Sequence, residues 1–523
     1  MTEAAARRAL VTAATPFDAL SYLEANAHYR RDELAVYDDG ERLNFGRLLT
    51  AVRAMIGDLI ERGIGPGDVV AVALPNVWRY VALEIAIPAL GATILPLPMR
   101  LGQREVASAL ERSGAVLVVV DEHATGSVVA ETARQQPAVH VVDAGALEVA
   151  SVKLPAAWER GAPDPDRIVQ IALTSGTTGL PKLASLSARL KQLTFEGFTA
   201  RLGIAPGDRM LPMSPITQGA GEMCLYALRT GAALVMSHDL RFDPDSILAL
   251  VERSGTTILG GVPTMISRLL HADRLSSASL GTLRATISAG APLPPAAAEQ
   301  WERRSASSTC SFYGAMDIGQ LAVPRPDDPP AKRWTTVGRP HDTAEWMICD
   351  RAGNPVPPGE TGEICMRGPL VQNRYWGETS GPFAADGWAH FGDLGFVDED
   401  GFVHITGRLK DTIIRGGNNI NPLEVEQLLR EHPAVRDACL IGRPDPDLGE
   451  RAAAFVVSAP GAAFDLAEAV MFLNEKGMAR YKWPESLVTL ETLPVGSTGK
   501  IDREALRRML TDPADEGRPD DPQ

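Results

Sequence analysis

The chain has 523 residues, too many for one ordinary core, so at least two domains are expected. Apolar residues make up 45% and charged residues 22%, the balance of a soluble globular protein, and the net charge of −15 argues against nucleic acid, whose phosphates need a basic face. The five cysteines (Cys224, Cys310, Cys349, Cys365 and Cys439) are scattered without metal-ligand spacing, and no run has signal-peptide or membrane-span character, so reduced thiols and a cytoplasmic location are expected.

In chain order, Phe45–Arg62 reads as a helix, with Leu48, Val52, Ile56 and Leu59 near helical spacing, and Gly65-Pro66-Gly67 ends it. Val69–Leu74 is a buried strand, Trp78–Leu90 a helix closed by Gly91, Thr93–Leu97 a strand, Gln103–Ser113 a helix and Ala115–Val120 a strand. This alternation predicts α/β sheets with helices on their faces. Ile168–Leu173 continues the pattern, followed by strand Ala232–Ser237, helix Pro244–Ser254, strand Thr256–Leu259 and strand Leu283–Ser288. From Trp334 to Ile405 short segments such as Glu363–Arg367 and Phe402–Ile405, separated by Gly, Pro and Asp, predict a β-rich subdomain. An α+β pattern then closes the chain: helix Pro422–His432, strands Ala438–Ile441 and Ala452–Val457, and helix Leu466–Lys476. The expected division is a large N-terminal domain at 1–409, a small C-terminal domain at 410–512 and a disordered Asp/Pro-rich tail at 513–523, with the joint near Lys410.

One loop concentrates chemistry. Thr174-Ser175-Gly176-Thr177-Thr178-Gly179-Leu180-Pro181-Lys182 follows the apolar run Ile168–Leu173. Its glycines let backbone N–H groups turn toward an anion, its hydroxyls add donors, and Lys182 adds a positive charge. A Ser/Thr/Gly-rich surface turn would look the same, and the spacing fits neither a Walker loop nor a dinucleotide fingerprint. Further stretches point the same way. These are Ala289-Gly290-Ala291-Pro292 after a strand, Tyr313-Gly314-Ala315-Met316-Asp317, Asp386–Asp393, Gly407–Asp411 with Arg408, Arg415-Gly416-Gly417-Asn418, and Gly496-Ser497-Thr498-Gly499-Lys500.

In order and spacing, these motifs resemble the adenylate-forming superfamily of acyl-CoA synthetases, aryl-CoA ligases, adenylation domains and luciferase, and are most like bacterial fatty-acyl and aryl-CoA ligases. The resemblance covers nearly the whole chain. It implies two half-reactions: ATP and a carboxylate give acyl-AMP, and the CoA thiol then displaces AMP. By this likeness Thr174, Ser175, Gly176, Thr177, Thr178, Gly179 and Lys182 hold the outer phosphates. Gly290, Ala291 and Pro292 with Tyr313 flank adenine, Gly314 belongs to the same nucleotide site, and Asp393 and Arg408 hold the ribose. Met316 faces the α-phosphate, and Asp317 takes the Mg²⁺-linked position. Lys500 bridges the carboxylate and α-phosphate. Lys410 is the hinge of a mobile C-terminal domain, and Gly416–Gly417 line the pantetheine path. Gln218, Gly219, Ala220 and Gly221 form an acyl-pocket wall. The implied ligands are ATP or acyl-AMP, CoA and Mg²⁺, with a small carboxylic acid as partner.

Some positions depart from the family pattern. Met316 stands where a hydroxyl is usual, and a thioether cannot donate a hydrogen bond. Asp317 is one methylene shorter than the usual Glu, Gln218 replaces a His, and Phe391 stands where Thr is common. Thr335-Thr336-Val337-Gly338 lacks the usual first Gly. Most of these fall in the adenylating half, whereas Lys410 and Gly416–Gly417 keep the thioester half intact. An alternative is therefore an enzyme that takes acyl-AMP made by a separate adenylating enzyme and only transfers the acyl group to CoA. A second alternative loads a carrier protein, and a non-catalytic nucleotide-binding relic is a third. A hydrolase is disfavoured, because no Gly-x-Ser-x-Gly elbow is present.

Overall fold

The computed structural model describes residues 18–121, 127–147, 154–155, 158–162, 164–174, 181–217, 219–238, 242–315, 319–371, 375–378, 387–496 and 501–511. They form two compact units, Met1–Glu345 with Met366–Ala389, and Trp346–Cys365 with His390–Gln523. Lys410 lies inside the second unit, which also takes in half of the β-rich stretch, at 346–365 and 390–405.

The first unit carries two large sheets. One has six strands in the order His140–Asp143, Ala115–Val120, Val69–Ala73, Thr93–Pro96, Ile168–Thr174 and Lys182–Ser187. Its first five strands run parallel, and the last turns back antiparallel. Val69–Ala73 is buried throughout, which explains its unbroken apolar sequence: a parallel strand covered on both faces needs no polar alternation. The other sheet has nine strands, and Arg209–Pro212, Ala233–Met236, Ile258–Gly261, Ala285–Ala289 and Ser308–Ala315 form its parallel centre. One edge is an N-terminal hairpin, Leu34–Asp38 with Glu41–Asn44, whose first strand pairs parallel with Ala233–Met236.

Helix ends follow local chemistry. The Asp18 carboxylate accepts from Leu20 N–H at 3.0 Å and starts Ala19–Tyr29, and the Asn44 side chain caps Phe45–Glu61. Gln103–Ser113 and Pro244–Ser254 appear with the predicted bounds. The strand expected from Thr256 begins at Ile258 instead. Both threonines before it are committed elsewhere: Thr256 Oγ1 lies 2.7 Å from Ser254 Oγ, and the Thr257 hydroxyl donates to Asp208 at 2.8 Å.

The second unit holds a five-stranded sheet built on the long antiparallel pair Val435–Asp445 and Gly449–Ser458. It is extended by the short hairpin Ile413–Arg415/Asn418–Ile420 and by the parallel strand Ser486–Thr489. A four-stranded sheet orders Glu345–Cys349, Gly362–Arg367, Ala389–Val397 and Val403–Arg408. Large α/β sheets in one part and a smaller α+β part at the C-terminal end match the fold class expected. No helix among the described residues is long and apolar enough to cross a membrane.

Candidate active site

In the first unit the Ser/Thr/Gly loop leaves a strand and returns on its antiparallel neighbour. Thr174 and Lys182 face each other across that pair, so the two ends of the loop are fixed in register. Ser175, Gly176, Thr177, Thr178 and Gly179 lie outside the described residues. The return strand is anchored from several sides. Arg112 donates to the Pro181 carbonyl at 2.8 Å, Trp376 N–H donates to the Leu183 carbonyl at 2.7 Å, and the Lys182 ammonium sits 4.7 Å above the Tyr375 ring. Both ends of the loop therefore rest on fixed strands, and Lys182 is exposed.

The strands Ala285–Ala289 and Ser308–Ala315 run parallel and end side by side, with Ala289 opposite Phe312. Gly290 and Tyr313 therefore follow one another at the same carboxyl edge, where open α/β sheets bind ligands. Gly290 has φ +89°, a conformation that favours glycine, and it is exposed with Ala291; Pro292 is half-buried. Tyr313 and Gly314 are half-buried, and a register shift occurs between them. A backbone edge beside an aromatic ring suits a planar base. Met316 and Asp317 lie outside the described residues.

Gly219, Ala220 and Gly221 open the short helix Gly219–Cys224; Gln218 lies outside the described residues. Gly221 has a steric reason to be glycine: a Cβ there would stand 2.2 Å from the Pro215 carbonyl oxygen. The turn before this helix is held by Asn76, which donates to the Ser214 carbonyl at 3.1 Å and accepts from Ile216 N–H at 2.9 Å. Ser214 Oγ and Thr217 Oγ1 are buried with no hydrogen-bond partner among the described residues. Buried hydroxyls seldom stay unsatisfied, so this turn suits a polar ligand atom or water.

The helix is tied to the strand leading into the Ser/Thr/Gly loop. Gln170, on that strand, donates to Glu222 at 3.0 Å. Lys191, fully buried, lies 3.2 Å from Glu222 and 3.3 Å from Glu84 and also donates to the Gln170 side chain. Burial works to lower the Lys191 pKa, but Glu222, Tyr226 and Glu84 outweigh it and hold the ammonium charged. Burial pushes the nearby Tyr226 phenol up to about 12.

In the second unit Asp393 and Arg408 stand opposite each other on antiparallel strands. The Arg408 guanidinium lies 2.7 Å from the Asp393 carboxylate; Asp393 is buried and Arg408 exposed. A carboxylate already charge-paired, with an exposed cation beside it, can accept from a diol while the cation meets a phosphate. Lys410 is exposed in the one-turn helix Leu409–Asp411, and Arg503 and Arg507 each approach Asp411 at 3.7 Å. Gly416 and Gly417 form the two-residue tip of the hairpin, with φ +52° and +81°, the left-handed pair that a tight hairpin turn demands. Gly416 N–H donates to the Leu448 carbonyl at 2.7 Å, and Arg415 grips Glu485 through two bonds of 2.9 and 2.8 Å. Lys500 lies outside the described residues; the bridge Val495–Ile501 brackets its loop. Arg503 anchors the loop's exit. Burial opposes its charge, yet Glu426, Cys439 and Asp411 raise its pKa, and it donates to Glu426 at 2.7 Å.

The family described as AMP-binding enzyme matches residues 23–376, and its C-terminal domain matches residues 424–500. This chain belongs to the AMP-binding enzyme family. That family is part of the adenylate-forming superfamily. The chain is 34% identical over 483 residues to a feruloyl-CoA synthase from Amycolatopsis sp., covering 91% of this chain and 96% of that protein. It is 29% identical to the medium-chain fatty-acid–CoA ligase of Escherichia coli K12, covering 94% and 90%. Among solved structures, the anthranilate CoA ligase AuaEII with anthranoyl-AMP superposes with a TM-score of 0.87 at 25% identity, covering 95% of this chain and 98% of that one. The amide bond synthetase McbA from Marinactinospora thermotolerans does so with 0.84 at 29%, covering 94% and 99%.

Sequence reading of this AMP-binding enzyme missed Asn76 and the Lys191–Gln170–Glu222–Glu84 cluster. A lone Asn in a Pro-Asn pair and a Lys inside a helix carry no local signal. Only the long-range contacts reveal them.

Proposed function

We propose that this chain activates a carboxylic acid with ATP as its acyl-adenylate and passes the acyl group to CoA. It is an acid–thiol ligase. The observation that supports this most directly is the likeness to CoA ligases across 91% of the chain, spanning both matched segments.

In the first step a carboxylate oxygen bonds to the α-phosphorus and pyrophosphate leaves. Both reactants are anions, so the chain's task is to position them and offset their repulsion. The loop between Thr174 and Lys182 holds the outer phosphates, and the edge at Gly290–Pro292 with Tyr313 takes the base. Asp393 accepts from the ribose hydroxyls, with Arg408 beside it. Lys500 bridges the acid and the α-phosphate. Asp317 would hold Mg²⁺, which supplies further charge neutralisation. In the second step the CoA sulfur bonds to the acyl carbon, AMP leaves, and the thiol proton passes to solvent. The Gly416–Gly417 hairpin serves this step, and Lys410 is the pivot that lets Lys500 and the hairpin act in turn.

The acid is a sizeable one carrying a polar substituent. Gly219 has open space where a side chain would stand, and the Ser214 and Thr217 hydroxyls lack partners among the described residues. Met316 favours a second reading, in which adenylation is slow or absent and acyl-AMP comes from another enzyme, because the hydroxyl facing the α-phosphate is missing.

Pyrophosphate exchange with ATP, Mg²⁺ and a panel of acids tests the first half; synthetic acyl-AMP with CoA tests the second. Exchange together with thioester formation supports the full ligase. Thioester from acyl-AMP alone supports the second reading, and Met316→Thr then raises exchange by about 10²–10³-fold, the usual worth of one such donor. Failure of acyl-AMP and CoA to give thioester overturns both. Acyl transfer to an amine or a carrier protein, in place of CoA, would redirect the acceptor assignment.

A further inference from the structure

Four side chains with metal-binding atoms converge on three neighbouring strands of the second unit, and none of the four has been given a role above. Cys349 ends the strand Glu345–Cys349, Glu363 and Cys365 lie on Gly362–Arg367, and His390 lies on Ala389–Val397. Glu363 and Cys365 are two residues apart on one strand, so both point to the same face. The Cys349 and Cys365 sulfurs are 3.0 Å apart, and Cys365 Sγ lies 3.4 Å from His390 Nδ1. His390 Nδ1 lies 3.0 Å from Glu363 Oε2, and one ligand atom from each residue falls within 4.8 Å of all the others.

We propose that Cys349, Cys365, His390 and Glu363 bind one structural Zn²⁺. The donor set is two sulfurs, one nitrogen and one oxygen, which a tetrahedral Zn²⁺ accepts. Bond lengths of about 2.0–2.3 Å place tetrahedral ligands roughly 3.3–3.8 Å apart, so the sulfur pair must open by less than about 1 Å, the His390–Glu363 pair by less than about 0.5 Å, and no pair has more than about 1.5 Å to close. Both thiols are buried and lose their protons to solvent on binding, while Glu363 and His390 remain partly exposed at 18% and 28% and form the entry side. The carboxylate is already oriented: Gly392 N–H donates to its other oxygen, Oε1, at 3.0 Å, the kind of outer support that metal ligands have. A Cys349–Cys365 disulfide would use the two sulfurs but leave the convergence of Glu363 and His390 on them without a purpose. The ion would clamp three strands, including the one that carries Asp393 three residues beyond His390.

The full chain, purified without chelator, is assayed for zinc by mass spectrometry and for thiols by titration under denaturing conditions. Cobalt is then exchanged in and its absorption recorded. The expected result is about one zinc per chain, five titratable thiols and, with Co²⁺, the intense thiolate charge-transfer and visible bands of a tetrahedral site. Cys365→Ser abolishes these bands. His390→Ala and Glu363→Gln leave the buried thiols in place, fold as judged by circular dichroism, and weaken zinc binding by about tenfold or more. Absence of stoichiometric zinc, a sulfur pair found as a disulfide, or zinc retained equally by His390→Ala and Glu363→Gln would overturn the proposal.

Discussion

Replacing Lys191 by Met removes the one ammonium that faces two buried carboxylates. Lys191 lies 3.2 Å from Glu222 and 3.3 Å from Glu84, and all three side chains are buried. Taking one member from such a group leaves charge without a counterion in low dielectric, which costs about 3–5 kcal/mol. Arg229, 3.9 Å from Glu84, screens one carboxylate, so Glu222 carries most of the penalty. Urea unfolding of the full chain, followed by tryptophan fluorescence, should show the first unit's transition moved to lower denaturant by that amount. The double variant Lys191→Met/Glu222→Gln should regain a large part, because the orphaned charge is gone. Glu222 sits on the helix Gly219–Cys224, so the single variant should also raise KM for the acid. The sign with pH is fixed by the raised lysine pKa: the contribution is fully present below the unfolded value of about 10.4 and is lost only as pH climbs through the folded value. The loss should therefore be the same at pH 6 and pH 9. A Lys191→Met chain within about 1 kcal/mol of wild type, or a double variant no better than the single, would refute the reasoning.

Asp393→Asn should raise KM for ATP in pyrophosphate exchange by roughly 10–150-fold, the worth of a charged hydrogen bond, and an unchanged KM would remove Asp393 from the nucleotide site. Gly417→Ala forces a side chain into φ +81° at about 1–2 kcal/mol. It should slow thioester formation from acyl-AMP while leaving exchange within about twofold, and an equal loss in both would show that the hairpin is not specific to the second half. Burial holds His341 below the usual imidazole pKa, so as pH falls the unfolded chain takes up a proton, near 6.5, before the folded chain does. Stability should fall as pH drops below about 6.5 and level off below the folded value, and His341→Gln should remove that part of the slope. Urea midpoints between pH 5 and 8 measure it.

The α/β pattern was legible because buried parallel strands and amphipathic helices write themselves into local periodicity, as Val69–Ala73 and Gln103–Ser113 show. Helix Ala188–Leu202 was not, because Lys191, Gln192, Thr194 and Thr199 are all buried and break the apolar stripe. Its polar face meets partners at 84, 170 and 222, which no local window contains. Asp393 and Arg408 were each singled out by motif, yet their opposition on paired strands follows from a register that includes a shift between Leu394 and Gly395. The sulfur–imidazole–carboxylate cluster was invisible because Cys349 and Cys365 lie 16 residues apart, and only the sheet brings them together.

The hairpin Leu34–Asn44 joins a sheet whose neighbouring strand, Ala233–Met236, lies roughly 200 residues further along the chain. At about 5–20 residues per second of synthesis, some 10–40 s pass between the making of one strand and the arrival of its partner. During that interval the strand Leu34–Asp38 presents an unsatisfied edge with buried-type residues Ala35 and Val36. The hairpin is thus the first part of the sheet to be made, yet it cannot be seated until Ala233–Met236 exists. Fragments ending before residue 233 carry this edge permanently and are the ones to find in aggregates.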